Sequence, residues 1–171
     1  DASAGVVADQ SGGGALLGAD CVLSNCTVTG NSALYGGGVH GGAVSRSVLS
    51  GNFAWFEGGG ASLCLLNDSL LVGNAAQYGG GSFRCELYSC TLVDNTDDVG
   101  GAYEGSLVNS IVWHNAGGDV FGSDARYTAA ASGVAHGVQG CLTNSPLFAA
   151  RGSGDYRLSY YSPCVDAGEN A

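Results

Sequence analysis

Aliphatic residues recur along this chain in two parallel series. One is Leu23, Val44, Leu66, Leu87 and Leu107; the other, five residues on, is Val28, Leu49, Leu71, Leu92 and Val112. Both predict inward positions of short strands, with alternate residues pointing the other way. Beside the first series those alternates are mixed: Val22, Ala43, Leu65, Glu86 and Ser106. Stretches of about five residues between glycine markers are too short for helices. The pattern therefore predicts coils of two short strands joined by a corner and stacked in parallel about 4.8 Å apart. Some five coils would build a core about 25 Å long.

The second strand of each coil ends in the same way. Cys26-Thr-Val-Thr-Gly-Asn31, Ser47-Val-Leu-Ser-Gly-Asn52, Ser69-Leu-Leu-Val-Gly-Asn74, Cys90-Thr-Leu-Val-Asp-Asn95 and Ser110-Ile-Val-Trp-His-Asn115 are near-copies. A fixed period of about 20 residues is the mark of a solenoid. Asn31, Asn52, Asn74, Asn95 and Asn115 are expected to form a structural column, each at a left-handed corner position, with amides bonded from coil to coil. Glycine runs at Gly12–Gly14, Gly36–Gly38, Gly58–Gly60, Gly79–Gly81 and Gly100–Gly101 keep the same phase. They suit tight bends; a phosphate cradle is not expected, because no helical pattern follows them.

Composition narrows the function classes. The 171 residues carry 31 glycines, 45% hydrophobic residues and a net charge of −10, with no lysine. Such acidity argues against nucleic acid and against an anionic membrane surface as partners. No apolar run is long enough to span a membrane, so no membrane insertion is expected. The coils are expected over residues 12–118, after a lead-in of residues 1–11. Residues 119–171, where the period breaks, are expected to be an irregular segment and C-terminal cap.

The Gly-Gly-Gly-Val and Gly-Gly-Gly-Ala runs, paired with short apolar strands ending in Asn, resemble the repeats of bacterial right-handed parallel β-helix surface proteins, such as the chlamydial polymorphic outer-membrane passengers. The tail carries Asn144-Ser-Pro-Leu-Phe148, Gly154-Asp-Tyr-Arg-Leu158 and Ser162-Pro-Cys-Val-Asp-Ala-Gly168. In that order the phrases resemble the ending of "choice-of-anchor" β-helix proteins of environmental and gut bacteria. The resemblance implies an all-β chain, a right-handed parallel β-helix of about five to seven coils with an irregular capping tail. It also implies an extracellular or cell-surface location.

Seven cysteines are present. The spacing Cys-x4-Cys occurs twice and suggests Cys21–Cys26 and Cys85–Cys90 disulfides, each across one corner, with Cys141–Cys164 joining the tail and Cys64 left free. Two alternatives stand beside this: buried thiols acting as small apolar residues, and a bridge between coils linking Cys64 to Cys85.

Catalytic groupings are sparse. Asp94, Asp97 and Asp98 form the best acidic cluster, placed where β-helix lyases and hydrolases carry loop acids; it offers at most a weak Ca²⁺ site and no other cofactor or metal. Tyr35, Trp55, Phe56 and Tyr78 precede the glycine runs and are expected to form one column, either stacking on sugar rings or capping the core. The outward side of the second strand grows apolar toward the C-terminal end, and the tail is its expected cover. Open strand edges at the ends favour self-association, head-to-tail into a filament, or attachment to a longer chain. The expected function is a structural or adhesion-type module. The alternatives are a carbohydrate-active enzyme and a glycan-binding module.

Overall fold

Three parallel sheets of six strands each wind into a β-solenoid of about five turns. The computed structural model describes residues 10–96 and 98–169. Sheet I contains Ala15–Leu16, Val39–His40, Ala61–Ser62, Ser82–Phe83, Ala102–Tyr103 and Val120–Phe121. Sheet II contains Val22–Ser24, Ala43–Ser45, Leu65–Asn67, Glu86–Tyr88, Ser106–Val108 and Asp124–Arg126. Sheet III contains Thr27–Thr29, Val48–Ser50, Leu70–Val72, Thr91–Val93, Ile111–Trp113 and Ala129–Ala130. The coils thus run on past residue 118. Short 3₁₀ segments occur at Val138–Gly140 and Arg151–Ser153, and among the described residues no helix is long and apolar enough to cross a membrane.

Register follows the aliphatic series. Leu23, Val44, Leu66, Leu87, Leu107 and Ala125 are successive partners in sheet II. Val28, Leu49, Leu71, Leu92, Val112 and Ala130 are successive partners in sheet III. Leu49, Leu66, Leu71, Leu87, Leu92 and Leu107 are fully buried and form the spine of the core. Sheet I is the strand set that the aliphatic pattern does not reveal. Its two-residue strands emerge directly from the glycine runs and place Val39, Ala61 and Ala102 inward.

Each corner turns on one residue in the left-handed region, and this corrects the expected role of the asparagines. At the sheet III exit the positive φ belongs to the residue before each Asn: Gly30, Gly51, Gly73, Asp94 and His114, with φ between 57° and 66°. The sheet II to III corner uses Asn25, Arg46, Asp68, Ser89, Asn109 and Tyr127 in the same way. The asparagines are free to point inward because the residue before them makes the turn.

Ser47, Ser69 and Ser110, at the start of the sheet III strands, are buried. Their hydroxyls donate to the carbonyl two residues back, on Ser45, Asn67 and Val108. Each of these carbonyls also accepts a backbone N–H from the neighbouring coil, of Asn25, Arg46 and Ser89, so the serine adds a second bond at the corner and satisfies its own buried hydroxyl.

The C-terminal end is closed. Ala130 N–H donates to Leu142 O and Leu142 N–H to Thr128 O, while Tyr127 N–H donates to Gln139 O. Beyond this, Phe148–Ala150 and Asp155–Leu158 pair as an antiparallel hairpin, and the tail folds back along the sheet III side. Leu158 faces Ile111 and Leu142 across a small cavity. The Glu169 backbone and the Asn109 amide exchange two hydrogen bonds.

Candidate functional site

The asparagine column is a continuous amide ladder. Asn52 donates both its backbone N–H and its Nδ2 to Asn74 Oδ1, each at 3.0 Å. Asn74 does the same to Asn95 Oδ1, and Asn95 to Asn115 Oδ1. The remaining amide proton reaches back one coil, from Asn52 to Val28 O, from Asn74 to Leu49 O and from Asn95 to Leu71 O. Chains of this kind in a dry interior strengthen one another and fix register.

The ladder ends on a carboxylate. Asp119 Oδ1 accepts from Asn115 N–H and Nδ2, its Oδ2 accepts from Ala131 N–H, and its own N–H donates to Ser132 Oγ. Asp119 stands in the column of Gly38, Gly60, Gly81 and Gly101, where a side chain would collide with the ladder asparagine of the same coil. In the last coil the asparagine position is Gly133, so the space is open and the Asp119 carboxylate fills it.

Of the acidic cluster, Asp94 is committed to holding the tail. Its carboxylate accepts from Arg151 Nε at 3.0 and 3.2 Å, from Arg151 Nη2, and from the Tyr156 hydroxyl at 3.3 Å. That bonding raises the Arg151 pKa. Tyr156 is also raised, by burial first and the Asp94 charge second. Asp98 is exposed and contributes only its backbone N–H, to Gln77 O. Asp97 lies outside the described residues. Among the described residues no three acidic, cysteine or histidine side chains converge into a group that would hold a metal ion.

Docking of the hairpin creates a feature that sequence did not announce. A cleft of about 450 Å³ opens between it and the sheet II to III corner, lined by Asp68, Ser89, Thr91, Asp155, Tyr156 and Arg157. Asp155 is held down to about 2 by the Arg157 guanidinium, which donates at 2.7 and 2.9 Å. The lining joins residues far apart in the chain, so no local motif signals it.

The four aromatics expected in one column divide into two groups. Tyr35 packs on Phe56, with ring centroids 5.7 Å apart, and Trp55 meets Phe53 edge-on at 5.2 Å. Tyr78 turns instead to Tyr103. Tyr103 lies within a face-to-face stack, Phe83–Tyr103–Phe121, with centroids 5.5 and 5.3 Å apart and Arg84 over Phe83. These three occupy one register column of sheet I. Their inner ring faces are used against one another, which leaves edges rather than faces to solvent. The Trp55 group keeps more open surface, Trp55 being 59% exposed.

Upstream in the same column lie His40 and Ser62. His40 Nδ1 and Ser62 Oγ are buried without hydrogen-bond partners, and burial lowers the His40 pKa.

All seven cysteines are free thiols, which corrects the expected Cys21–Cys26, Cys85–Cys90 and Cys141–Cys164 pairs. Cys21 and Cys26 sit at opposite ends of Val22–Ser24, and Cys85 and Cys90 at opposite ends of Glu86–Tyr88. The extended strand between them alone spans roughly 10 Å before the corner, against a Cα separation of about 7 Å at most for a disulfide. Cys141 points into the core and donates to Ala125 O, whereas Cys164 lies under the tail on the outer side of Leu142. Burial pushes the Cys90 thiol up to about 12, so it packs as a small apolar group. No protein-family model, curated protein or solved structure matches this chain.

Proposed function

We propose that this chain is a structural, adhesion-type β-solenoid module displayed outside the cell, as the likeness of its repeats and tail to bacterial β-helix surface proteins suggests. The observation that carries this reading is the engagement of Asp94. The acid best placed for chemistry is bound to Arg151 and Tyr156, so its oxygens are occupied in holding the tail. The column-built core, with amides bonded through four coil-to-coil steps, suits a rigid spacer.

We place self-association of this module at the strand edges of its coils. Sedimentation and negative-stain imaging test it: particles that lengthen with concentration are expected, and monomers at every concentration would overturn it. Depolymerising activity on polysaccharides that disappears in Asp94→Ala would overturn the structural reading.

A glycan-binding role is favoured by one observation, the open Trp55 ring braced edge-on by Phe53 beside Phe56 and Tyr35. Aromatic faces of this kind suit the apolar faces of sugars. Binding on a glycan array that vanishes in Trp55→Ala would establish it.

A further inference from the structure

Side chains that share a corner column are neighbours along the solenoid axis. The column at the sheet I to II corner reads Cys21, Gly42, Cys64, Cys85, Gly105 and Ser123, by the register of the strands that follow it. At the sheet II to III corner it reads Cys26, Ser47, Ser69, Cys90, Ser110 and Thr128. Cys64 and Cys85 are the one cysteine pair that occupies consecutive places in these two columns. Cys21 lies two coils from Cys64, and Cys26 three coils from Cys90.

The Cys85 thiol touches the Cys64 backbone. Cys64 N–H donates to Cys85 Sγ at 3.4 Å, and each Sγ points inward to the carbonyl two residues back, Ser62 O at 3.2 Å and Phe83 O at 3.3 Å. Adjacent parallel strands hold Cα atoms about 4.8 Å apart, inside the range of about 4.4–6.8 Å that a disulfide requires. One thiol needs only to leave its carbonyl and turn along the axis. There is also a way in. A surface depression of about 350 Å³ lined by Gly42, Leu63, Cys64 and Arg84 reaches this corner, and Gly42, the neighbour of Cys64 in the column, adds no side chain of its own.

We propose that Cys64 and Cys85 form a disulfide between the third and fourth coils when the protein meets a low-molecular-weight disulfide such as oxidised glutathione. The step is thiol–disulfide exchange. One cysteine loses its proton to solvent, attacks a sulfur of the small disulfide and expels the other half as a thiol. The second cysteine then attacks the mixed disulfide and releases the remaining half. Two protein S–H bonds and one small S–S bond are lost; one protein S–S bond and two small thiols are gained. The Cys85 thiol beside it and burial both raise the Cys64 pKa, so the exchange is slow until the corner opens. Once made, the link closes the chain between residues 64 and 85 and restrains the unfolded state.

Trypsin resolves the pairing. Arg46, Arg84 and Arg126 place Cys64 in peptide 47–84, and Cys85 with Cys90 in peptide 85–126. Reduced protein is held in a glutathione redox buffer with mild urea, quenched with iodoacetamide, denatured and digested. The expected product joins the two peptides with Cys90 alkylated. The link persists in Cys90→Ser and is lost in Cys85→Ser, which keeps a corner residue the column already uses at Ser123. Oxidation raises the unfolding midpoint in the wild type and in Cys90→Ser but not in Cys85→Ser. Cys64 left alkylated, Cys64 joined to Cys90, or an equal midpoint rise in Cys85→Ser would each overturn the proposal.

Discussion

Asp119 accepts two hydrogen bonds from Asn115 through one oxygen, at 3.1 Å from the backbone N–H and 3.0 Å from Nδ2. The carboxylate is 3% exposed, and its other oxygen holds Ala131 N–H. It therefore joins the last rung of the ladder to the segment that closes the solenoid. Asp119→Ala leaves three part-buried donors without an acceptor and is expected to cost about 1–3 kcal/mol. Asp119→Asn should cost less if the amide oxygen faces Asn115, because only the Ala131 bond is then lost. Urea unfolding of the two variants checks the order.

Within the ladder the penalty should depend on position. Asn74→Ala strands Asn52 N–H and one Asn52 Nδ2 proton in the core and is expected to cost about 3 kcal/mol. Asn31 is half-buried, in the first coil, and turns its Nδ2 to Thr29 O as well as to Asn52. Asn31→Ala should cost about 1 kcal/mol. Equal losses at the two positions would show that the rungs do not act through buried bonds.

Acid should weaken the fold through His40. Burial holds its folded pKa below the ordinary 6.5, so the folded state binds fewer protons than the unfolded chain. Stability is full above about pH 6.5. It falls as pH drops toward the folded value, with a slope of at most about 1.4 kcal/mol per pH unit. His40→Leu should remove that slope in urea titrations between pH 7.5 and 5. Glu57 acts lower and with opposite sign. Burial raises its pKa, so its contribution is present below the ordinary 4.5 and lost as pH rises through the folded value.

Cutting the Asp94 anchor should free the tail and leave the coils standing. The Arg151–Asp94 pair is partly exposed, and its loss is expected to cost about 1 kcal/mol. Arg151→Ala should accelerate tryptic cleavage at Arg157 about fivefold, by the equilibrium arithmetic of that loss, with little change in the solenoid's unfolding midpoint.

Two glycines should answer substitution in opposite ways. A Cβ on Gly59 would lie 2.4 Å from Ala75 O and 2.5 Å from Gly80 O, so Gly59→Ala forces neighbouring coils apart and should cost about 3 kcal/mol or more. Gly51 has φ 60° and open space around it. Asp94 and His114 occupy the same column with the same conformation, so Gly51→Asn should cost less than about 1 kcal/mol. Thermal unfolding of the two variants checks the contrast.

The two aliphatic columns were legible because sheet II and sheet III strands carry an inward Leu or Val in nearly every coil. Sheet I was not, because strands such as Ala61–Ser62 are two residues long and read as the tail of a glycine turn. The turning residue was misplaced by one position: an asparagine tolerates left-handed backbone, but Gly30, Gly51 and Gly73 beside it tolerate it better. The cysteine pairing followed distance along the sequence, whereas contact here runs along columns about 21 residues apart. Asp94 looked like a free loop acid because its partners, Arg151 and Tyr156, arrive from the far end of the chain. The cleft at Asp68 and Asp155 has the same non-local origin.

From the glycine column to the asparagine the chain keeps one length in four coils, Gly38 to Asn52, Gly60 to Asn74, Gly81 to Asn95 and Gly101 to Asn115. Gly14 to Asn31, in the first coil, is longer; among the later coils the variation falls between an asparagine and the following glycine position, Asn52 to Gly60 being the longest such stretch and Asn115 to Asp119 the shortest. That flank of the rod is where new peptide can be inserted or trimmed without disturbing the stacking beneath. A foreign epitope placed between Trp55 and Phe56, where the pairing of Phe53–Glu57 with Ser32–Tyr35 already shifts register, would be presented at a fixed height beside the Tyr35–Glu57 and Glu57–Tyr78 pairings.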